Sequence, residues 1–260
     1  MIRMNGLHKE YSQSAKALNN INLEIPKGQF VAMLGPSGAG KSTLLRCING
    51  LVKPTAGEVF VEEESVQGRQ LEKIRRKVGM VFQQFNLVKR LTVIENVICG
   101  RLAHMNVFAS CLKLFSQQDI DLAMQCLTRV GMEKKAYQRA DQLSGGQQQR
   151  VGIARALAQC PSIILADEPV ASLDPKSTER VMEVLQSINK QDPITLVVSL
   201  HNVELAVRYA ERIIGINDGH VVIDKPAKML TTSDVECIYG AVIETELEEF
   251  ACKQVNYVHA

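Results

Sequence analysis

The chain has 260 residues, with 30 Lys and Arg against 28 Asp and Glu for a net charge of +2. That near balance excludes nucleic-acid binding through a globally basic surface, and no window approaches the roughly 18 apolar residues of a membrane span. Seven cysteines without a C-x-x-C pair read as reduced thiols packed as small apolar side chains in a cytosolic protein, with neither a disulfide framework nor a zinc site.

Met1-Ile2-Arg3-Met4-Asn5-Gly6 lacks the apolar core of a signal peptide, so the chain reads as not exported. Up to Gly28 the pattern is short strands and turns, with Asn20-Ile21-Asn22-Leu23-Glu24-Ile25 alternating. Tyr11 reads either as a surface or edge-strand tyrosine or as a flat face on which a purine stacks. The apolar run Phe30-Val31-Ala32-Met33-Leu34 then leads into Gly35-Pro36-Ser37-Gly38-Ala39-Gly40-Lys41-Ser42-Thr43, which fits the G-x-x-x-x-G-K-[ST] phosphate loop. Its glycines let successive N–H groups point inward at the start of a helix, where the dipole also favours an anion. Lys41 adds a cation for the β- and γ-phosphates, and the Ser42 hydroxyl is a ligand for Mg²⁺.

A Pro/Gly turn over residues 50–57 precedes a strand at Glu58-Val59-Phe60-Val61, and the acidic run Glu62-Glu63-Glu64 reads as a solvated turn. A basic helix end at residues 73–77 leads to the strand Val78-Gly79-Met80-Val81-Phe82, which ends at Gln83. From Thr92 to about Gln159 the apolar period turns helical, with Leu122, Cys126, Leu127 and Val130 a turn apart. Residues 105–115 are unusually apolar for a connection and read either as core or as a patch docking a membrane partner.

Pro161-Ser162-Ile163-Ile164-Leu165-Ala166 is a continuous apolar run, the pattern of a parallel strand buried on both faces. It ends in Asp167-Glu168. Helices follow over residues 177–189 and 203–212, with a strand over 194–199 between them, and residues 213–224 read as a hairpin turning at Asp218-Gly219. Beyond Pro226 too little chain remains for another domain.

These elements place a small set of side chains around a nucleotide. A strand-end carboxylate at Asp167 completes the Mg²⁺ that Ser42 begins. Glu168, its neighbour, points elsewhere along the extended chain and serves the attacking water. Gln83 has an amide able to bond water and a metal-bound ligand, and His201 follows a strand, where its imidazole can meet the γ-phosphate or developing charge; singly, each also reads as a polar loop residue.

Leu143-Ser144-Gly145-Gly146-Gln147-Gln148-Gln149-Arg150 resembles the signature motif of ATP-binding cassette (ABC) proteins, and with the other blocks the resemblance covers about residues 1–230. It implies one ABC ATPase domain over residues 1–260. Its fold would be a P-loop NTPase of RecA-like α/β class, with a mostly parallel sheet core, an antiparallel β subdomain and an inserted all-helical subdomain. The catalytic lobe would span 1–91 and 160–260, and the helical subdomain, with the signature, 92–159. The resemblance places Tyr11 at the adenine-stacking aromatic, Gln83 at the Q-loop, Ser172-Leu173-Asp174 at the D-loop and His201 at the switch histidine; Asp174 before Pro175 also reads as a plain turn residue.

In that family, Ser144, Gly145, Gly146 and Gln147 of one copy close over ATP held by the phosphate loop of another. The resemblance thus implies ATP and Mg²⁺ as cofactors and a head-to-tail homodimer. Glu168, His201, Gln83 and Lys41 would be catalytic, with Ser42, Gln83 and Asp167 on the metal. Further partners are transmembrane permease subunits and, through them, an extracytoplasmic substrate-binding protein, with no nucleic acid. The chain would sit on the cytoplasmic face of the inner membrane, peripheral through the permease. The blocks around Gln83, Asp167 and His201 resemble the ATPase of phosphonate importers, as does the segment 105–115, although a tryptophan expected within it is absent. Alternatives are an ATPase for polar amino acids or methionine, and an ABC ATPase acting outside transport.

Overall fold

The computed structural model describes residues 1–12, 15–105 and 115–240. Packing divides the chain into two units, one made of residues 1–71 and 197–260, the other of residues 72–196.

The first unit carries an antiparallel sheet of β1 (Ile2–Ser12), β2 (Ala15–Ile25), β4 (Ala56–Val61) and β5 (Glu64–Ser65), in the order β2-β1-β4-β5. Alternation explains its buried face. Ile2 pairs with Ile25 on one side and Val61 on the other, and Met4 with Leu23 and Val59, so two rows of cross-strand apolar contacts stack on that face. Glu62 and Glu63, at φ 49° and 66°, make the tight turn between β4 and β5; Glu64, the third residue of the acidic run, belongs to β5.

In the same unit β3 (Phe30–Leu34), buried at all five positions, pairs parallel with β9 (Arg212–Asn217), and β10 (His220–Pro226) pairs antiparallel with β9. The order is β10-β9-β3-β8, where β8 is Thr195–Ser199. Asp218 and Gly219, both at positive φ, make the expected hairpin turn. The helices are α1 (Lys41–Ile48), α7 (Val203–Tyr209) and α8 (Thr232–Tyr239). The helix expected to reach Arg212 stops at Tyr209, because Arg212 belongs to β9. Its guanidinium takes both oxygens of Asp224 at 2.6 Å and donates to the Glu24 carbonyl at 2.9 Å, and this fork holds the strand where a further turn of helix would lie.

Helix α8 is fixed by Asp234. Its carboxylate accepts from Lys225 at 2.6 Å and from the Thr231 N–H and hydroxyl at 2.9 and 2.8 Å. Lys225 above all, and then Thr231, hold the Asp234 carboxyl below its usual range. Replacing Asp234 with Asn is expected to cost about 1 kcal/mol at neutral pH, measured from urea midpoints. A lowered folded pKa means the contribution is complete above the unfolded value of about 3.9 and vanishes as pH falls through the folded one. Wild type and variant should therefore converge in acid below that range.

The second unit contains β6 (Val78–Val81) and β7 (Ile163–Asp167), parallel from Val78 opposite Ile163 to Val81 opposite Ala166. Strand β7 is buried throughout, as its apolar run predicts. Helix α2 (Leu71–Lys77) leads into β6, with Arg75, Arg76 and Lys77 at the negative end of its dipole. The stretch 92–159 lies wholly within this unit and is helical where described. It holds α3 (Val93–Ile98), with a Thr92/Glu95 capping box, α4 (Gln117–Arg129), capped by Ser116, and α5 (Gly145–Ala158). Helix α6 (Pro175–Gln191) follows β7, with Asp174 as N-cap and Pro175 in its first turn. Of the apolar segment 105–115, residues 106–114 lie outside the described residues, as does the question of what that segment docks against. Burial pushes the thiols of Cys47 and Cys126 up to about 11, which fits both as packing groups; Cys160 and Cys237 are exposed.

Candidate nucleotide site

In the first unit the phosphate loop connects β3 to α1. Lys41 is 4% exposed, and its ammonium donates to the Gly35 carbonyl at 2.6 Å and the Pro36 carbonyl at 3.0 Å. The cation is thereby held inside its own loop. The loop is tied to the hairpin turn, since the Gly219 N–H donates to the Ala39 carbonyl at 3.2 Å. Helix α1 has no acidic residue in its own first turn, so no side chain of that turn opposes an anion at the positive end of its dipole.

Tyr11 stands at 58% exposure with its hydroxyl 3.4 Å from the Thr43 hydroxyl and the Lys9 ammonium 5.0 Å over its ring. It is a surface residue, and because β1 pairs with β4 only as far as His8 opposite Ala56, at Tyr11 the strand pairs with β2 alone. The register brings its ring beside the phosphate loop, where an aromatic face next to a cation suits a nucleobase. His201 lies just past β8. Leu200 donates to the Met33 carbonyl at 3.0 Å, and the Tyr239 hydroxyl to the His201 carbonyl at 2.9 Å. Two bonds thus fix His201 at the end of β3 from which the phosphate loop leaves. Tyr239 had no sequence signal for this role.

In the second unit Asp167 closes β7 with 5% exposure. Glu168 follows at φ 47°, in the left-handed region that a non-glycine residue enters at a cost of about 1–2 kcal/mol. Such strain clusters at functional positions. Its effect here is to break the strand between the two carboxylates, so that they do not follow simple extended alternation.

Gln83 lies beyond β6, and the segment it opens is held by side chains from two helices. Gln149 of α5 donates to the Phe82 carbonyl at 3.4 Å, and Arg155 to the carbonyls of Phe85 at 3.1 Å and Asn86 at 2.5 Å. Asn96 of α3, 1% exposed, bonds both the N–H and the carbonyl of Val88, at 2.8 and 3.1 Å. None of these three polar residues was singled out from the sequence. The available signal was an amide or guanidinium set within apolar helical stretches.

Ser144 is the N-cap of α5, and the Gln147 side-chain oxygen accepts from the Ser144 N–H at 3.2 Å and from Lys135 at 3.0 Å. A Cβ at Gly146 would lie 2.6 Å from Ser177, so only glycine lets the start of α5 lie this close to α6. Asp174 accepts from the Ser177 N–H at 3.0 Å, and the Ser177 side chain above all, then its N–H, holds the Asp174 carboxyl below the usual range; the turn reading of Asp174 takes the form of a helix cap. A polar cavity of about 530 Å³ opens at these two helix starts, lined by Ser144, Gly146, Gln147, Arg150, Lys176, Ser177, Glu179, Arg180 and Glu183. The first unit thus brings together Tyr11, the loop and His201; the second holds Gln83, Asp167, Glu168 and the Ser144–Gln147 turn.

A strand, a glycine-rich turn around a buried lysine and a helix with no acidic residue in its first turn define a phosphate-loop nucleotide-binding protein of α/β class. Residues 18–171 match the family model described as ABC transporter. A protein of Bacillus anthracis named Phosphonates import ATP-binding protein PhnC is 52% identical over 97% of this chain and 100% of its own. One of the same name from Thiobacillus denitrificans is 54% identical over 92% of each. A solved ATP-binding cassette, titled as a dimeric post-hydrolysis state bound to ADP and Pi, is 41% identical with a TM-score of 0.76, covering 87% of this chain and 99% of its own. This chain belongs to the ABC transporter family, and its fold is that of the family's ATPase cassette.

Proposed function

We propose that this chain is the energy-coupling ATPase of an importer for phosphonates or related oxyanions. The observation that carries the reading is the identity of 51–54% over 92–97% of the chain to proteins that all bear the phosphonate-import name. Lys41 and the loop N–H groups hold the β- and γ-phosphates, and Tyr11 stacks on the base. Ser144, Gly145, Gly146 and Gln147 of a second copy close over the same nucleotide, so the working form is a head-to-tail dimer. Support for that role is the capped helix start at Ser144, whose N–H groups suit a terminal phosphate.

Ser42, Gln83 and Asp167 supply a hydroxyl, an amide oxygen and a carboxylate, an all-oxygen set that fits Mg²⁺. Held by those three side chains, Mg²⁺ would supply positive charge against the phosphoryl group being transferred. Glu168 orients and deprotonates the attacking water, and His201 stabilises charge on the γ-phosphate. Closure on ATP and reopening after hydrolysis move the helical stretch 92–159, and through it permease subunits at the cytoplasmic face of the inner membrane, fed by an extracytoplasmic binding protein. No described helix is long and apolar enough to cross a membrane, so membrane attachment in this reading runs through the permease.

The test is reconstitution of this chain with its permease and binding protein in liposomes. An alkylphosphonate should raise ATP turnover about tenfold while methionine and polar amino acids leave it at the basal rate. Stimulation by an amino acid and not by the phosphonate would replace the substrate class and leave the ATPase reading standing.

A further inference from the structure

Gln149 is 0% exposed on α5 and satisfies only half of its amide. Its Nε2 donates to the Phe82 carbonyl at 3.4 Å, while its Oε1, equally buried, has no hydrogen-bond partner among the described residues. The opposite amide orientation would set two carbonyl oxygens against each other, so the contact itself fixes which end is which. A buried glutamine with an orphan acceptor is a poor choice for packing alone, since a leucine of similar size would avoid the desolvation penalty. The place of the contact explains it. Phe82 immediately precedes Gln83, and Gln149 rides on the helix that Ser144 caps.

The rest of the segment lies along the same helix. A Cβ at Gly145 would lie 3.4 Å from the Phe85 ring, a Cβ at Gly152 would lie 3.8 Å from the Phe85 carbonyl, and Arg155 holds Phe85 and Asn86. Residues 145, 149 and 152 fall on one helical face. Displacing the start of α5 therefore carries the Phe82–Asn86 backbone with it.

We infer that Gln149 is a positioning residue for Gln83, with an amide that has two bonding states. In the state seen, one long bond holds the Phe82 carbonyl. In the other, Oε1 also takes a backbone N–H from the residues after Phe82, a paired contact that a small shift of the strand end would complete. Two such arrangements of one side chain form a switchable link between the Ser144–Gln147 turn and Gln83. The inference rests on the proposed role of Gln83 at the metal and water, and deepens it.

The test uses the full chain with Gln149→Leu and Gln149→Met, each alone and combined with Gln83→Ala, followed by thermal melting and ATP kinetics. Removing the orphan acceptor should leave Tm unchanged or raised, while kcat falls about tenfold and KM for ATP stays within about twofold. In the Gln83→Ala background the same changes should lower kcat by less than about twofold, because the residue they act through is already gone. A kcat within twofold of wild type in both variants, or a loss of Tm in both, would make Gln149 a packing residue and end the inference. So would a full-sized loss persisting without Gln83. Normal turnover in Gln83→Ala alone would instead overturn the role of Gln83 itself, and the inference with it.

Discussion

Glu168→Gln should leave ATP bound and cut its turnover by about 10²–10⁴-fold, the range that one general base contributes. The substitution is isosteric and leaves the backbone demand unchanged, because glutamine meets the same cost as glutamate at φ 47°. Loss of folding therefore cannot be the cause, and Tm should match wild type. With hydrolysis stopped and binding intact, ATP should hold the chain as a dimer on size exclusion, whereas wild type returns to monomer as ATP is consumed. A second variant separates strain from chemistry. Glycine accepts this φ at no steric cost, so Glu168→Gly removes the backbone strain and should yet be as inactive as Glu168→Gln. Near-normal turnover in either variant would remove Glu168 from its role and make the left-handed φ a plain loop feature.

That contrast marks what the sequence could and could not carry. The phosphate loop was legible because glycine spacing, the lysine and the flanking apolar strand each state a local requirement, and local requirements are written in residue types. The Asp218-Gly219 hairpin was legible for the same reason. Backbone conformation at Glu168 was not, since glutamate does not mark a left-handed residue as glycine or asparagine would. Tyr11 stays open in the sequence between a surface or edge-strand tyrosine and a base-stacking face, because what lies beside its ring is set by Thr43, thirty-two residues on, a non-local fact. Gln149, one of the side chains that hold the Gln83 segment, was hidden by periodicity itself. Helix α5 is buried at Val151, Ile153, Ala154 and Leu157 as well as at Gln149 and Gly152. A helix covered nearly all round has no polar stripe, so an amide on it looks like a solvent-facing residue until its partner carbonyl is seen. Arg212 ended a helix early through Asp224, twelve residues on in sequence, and no window of helix propensity reaches that far.

Gly40→Ala is expected to weaken ATP binding by about 100-fold, through geometry alone and with every charged group retained. Gly40 sits at φ 107°, and a Cβ there would lie 2.3 Å from the Ala17 carbonyl oxygen and 3.0 Å from the Leu18 side chain. The first obstacle is backbone of β2, with Lys16 and Leu18 on either side paired to β1, so it cannot swing aside as a side-chain tip would. Either the loop moves or the sheet does. The loop is the softer of the two, and moving it turns the inward N–H groups and the Lys41 ammonium off their targets. Gly38 supplies the control: it too has positive φ, 85°, but a Cβ there meets nothing within 4 Å. Gly38→Ala therefore carries only the conformational cost of about 1–3 kcal/mol, while Gly40→Ala carries that cost and the clash. Calorimetric titration with a non-hydrolysable ATP analogue, beside thermal melting of both variants, reads the two contributions apart. If strain stays in the folded chain, Tm falls; if the loop relaxes, Tm survives and Kd rises. Gly40→Ala with both Tm and Kd at wild-type values would mean that the approach to Ala17 relaxes freely, and that the glycine is not what shapes the phosphate cradle.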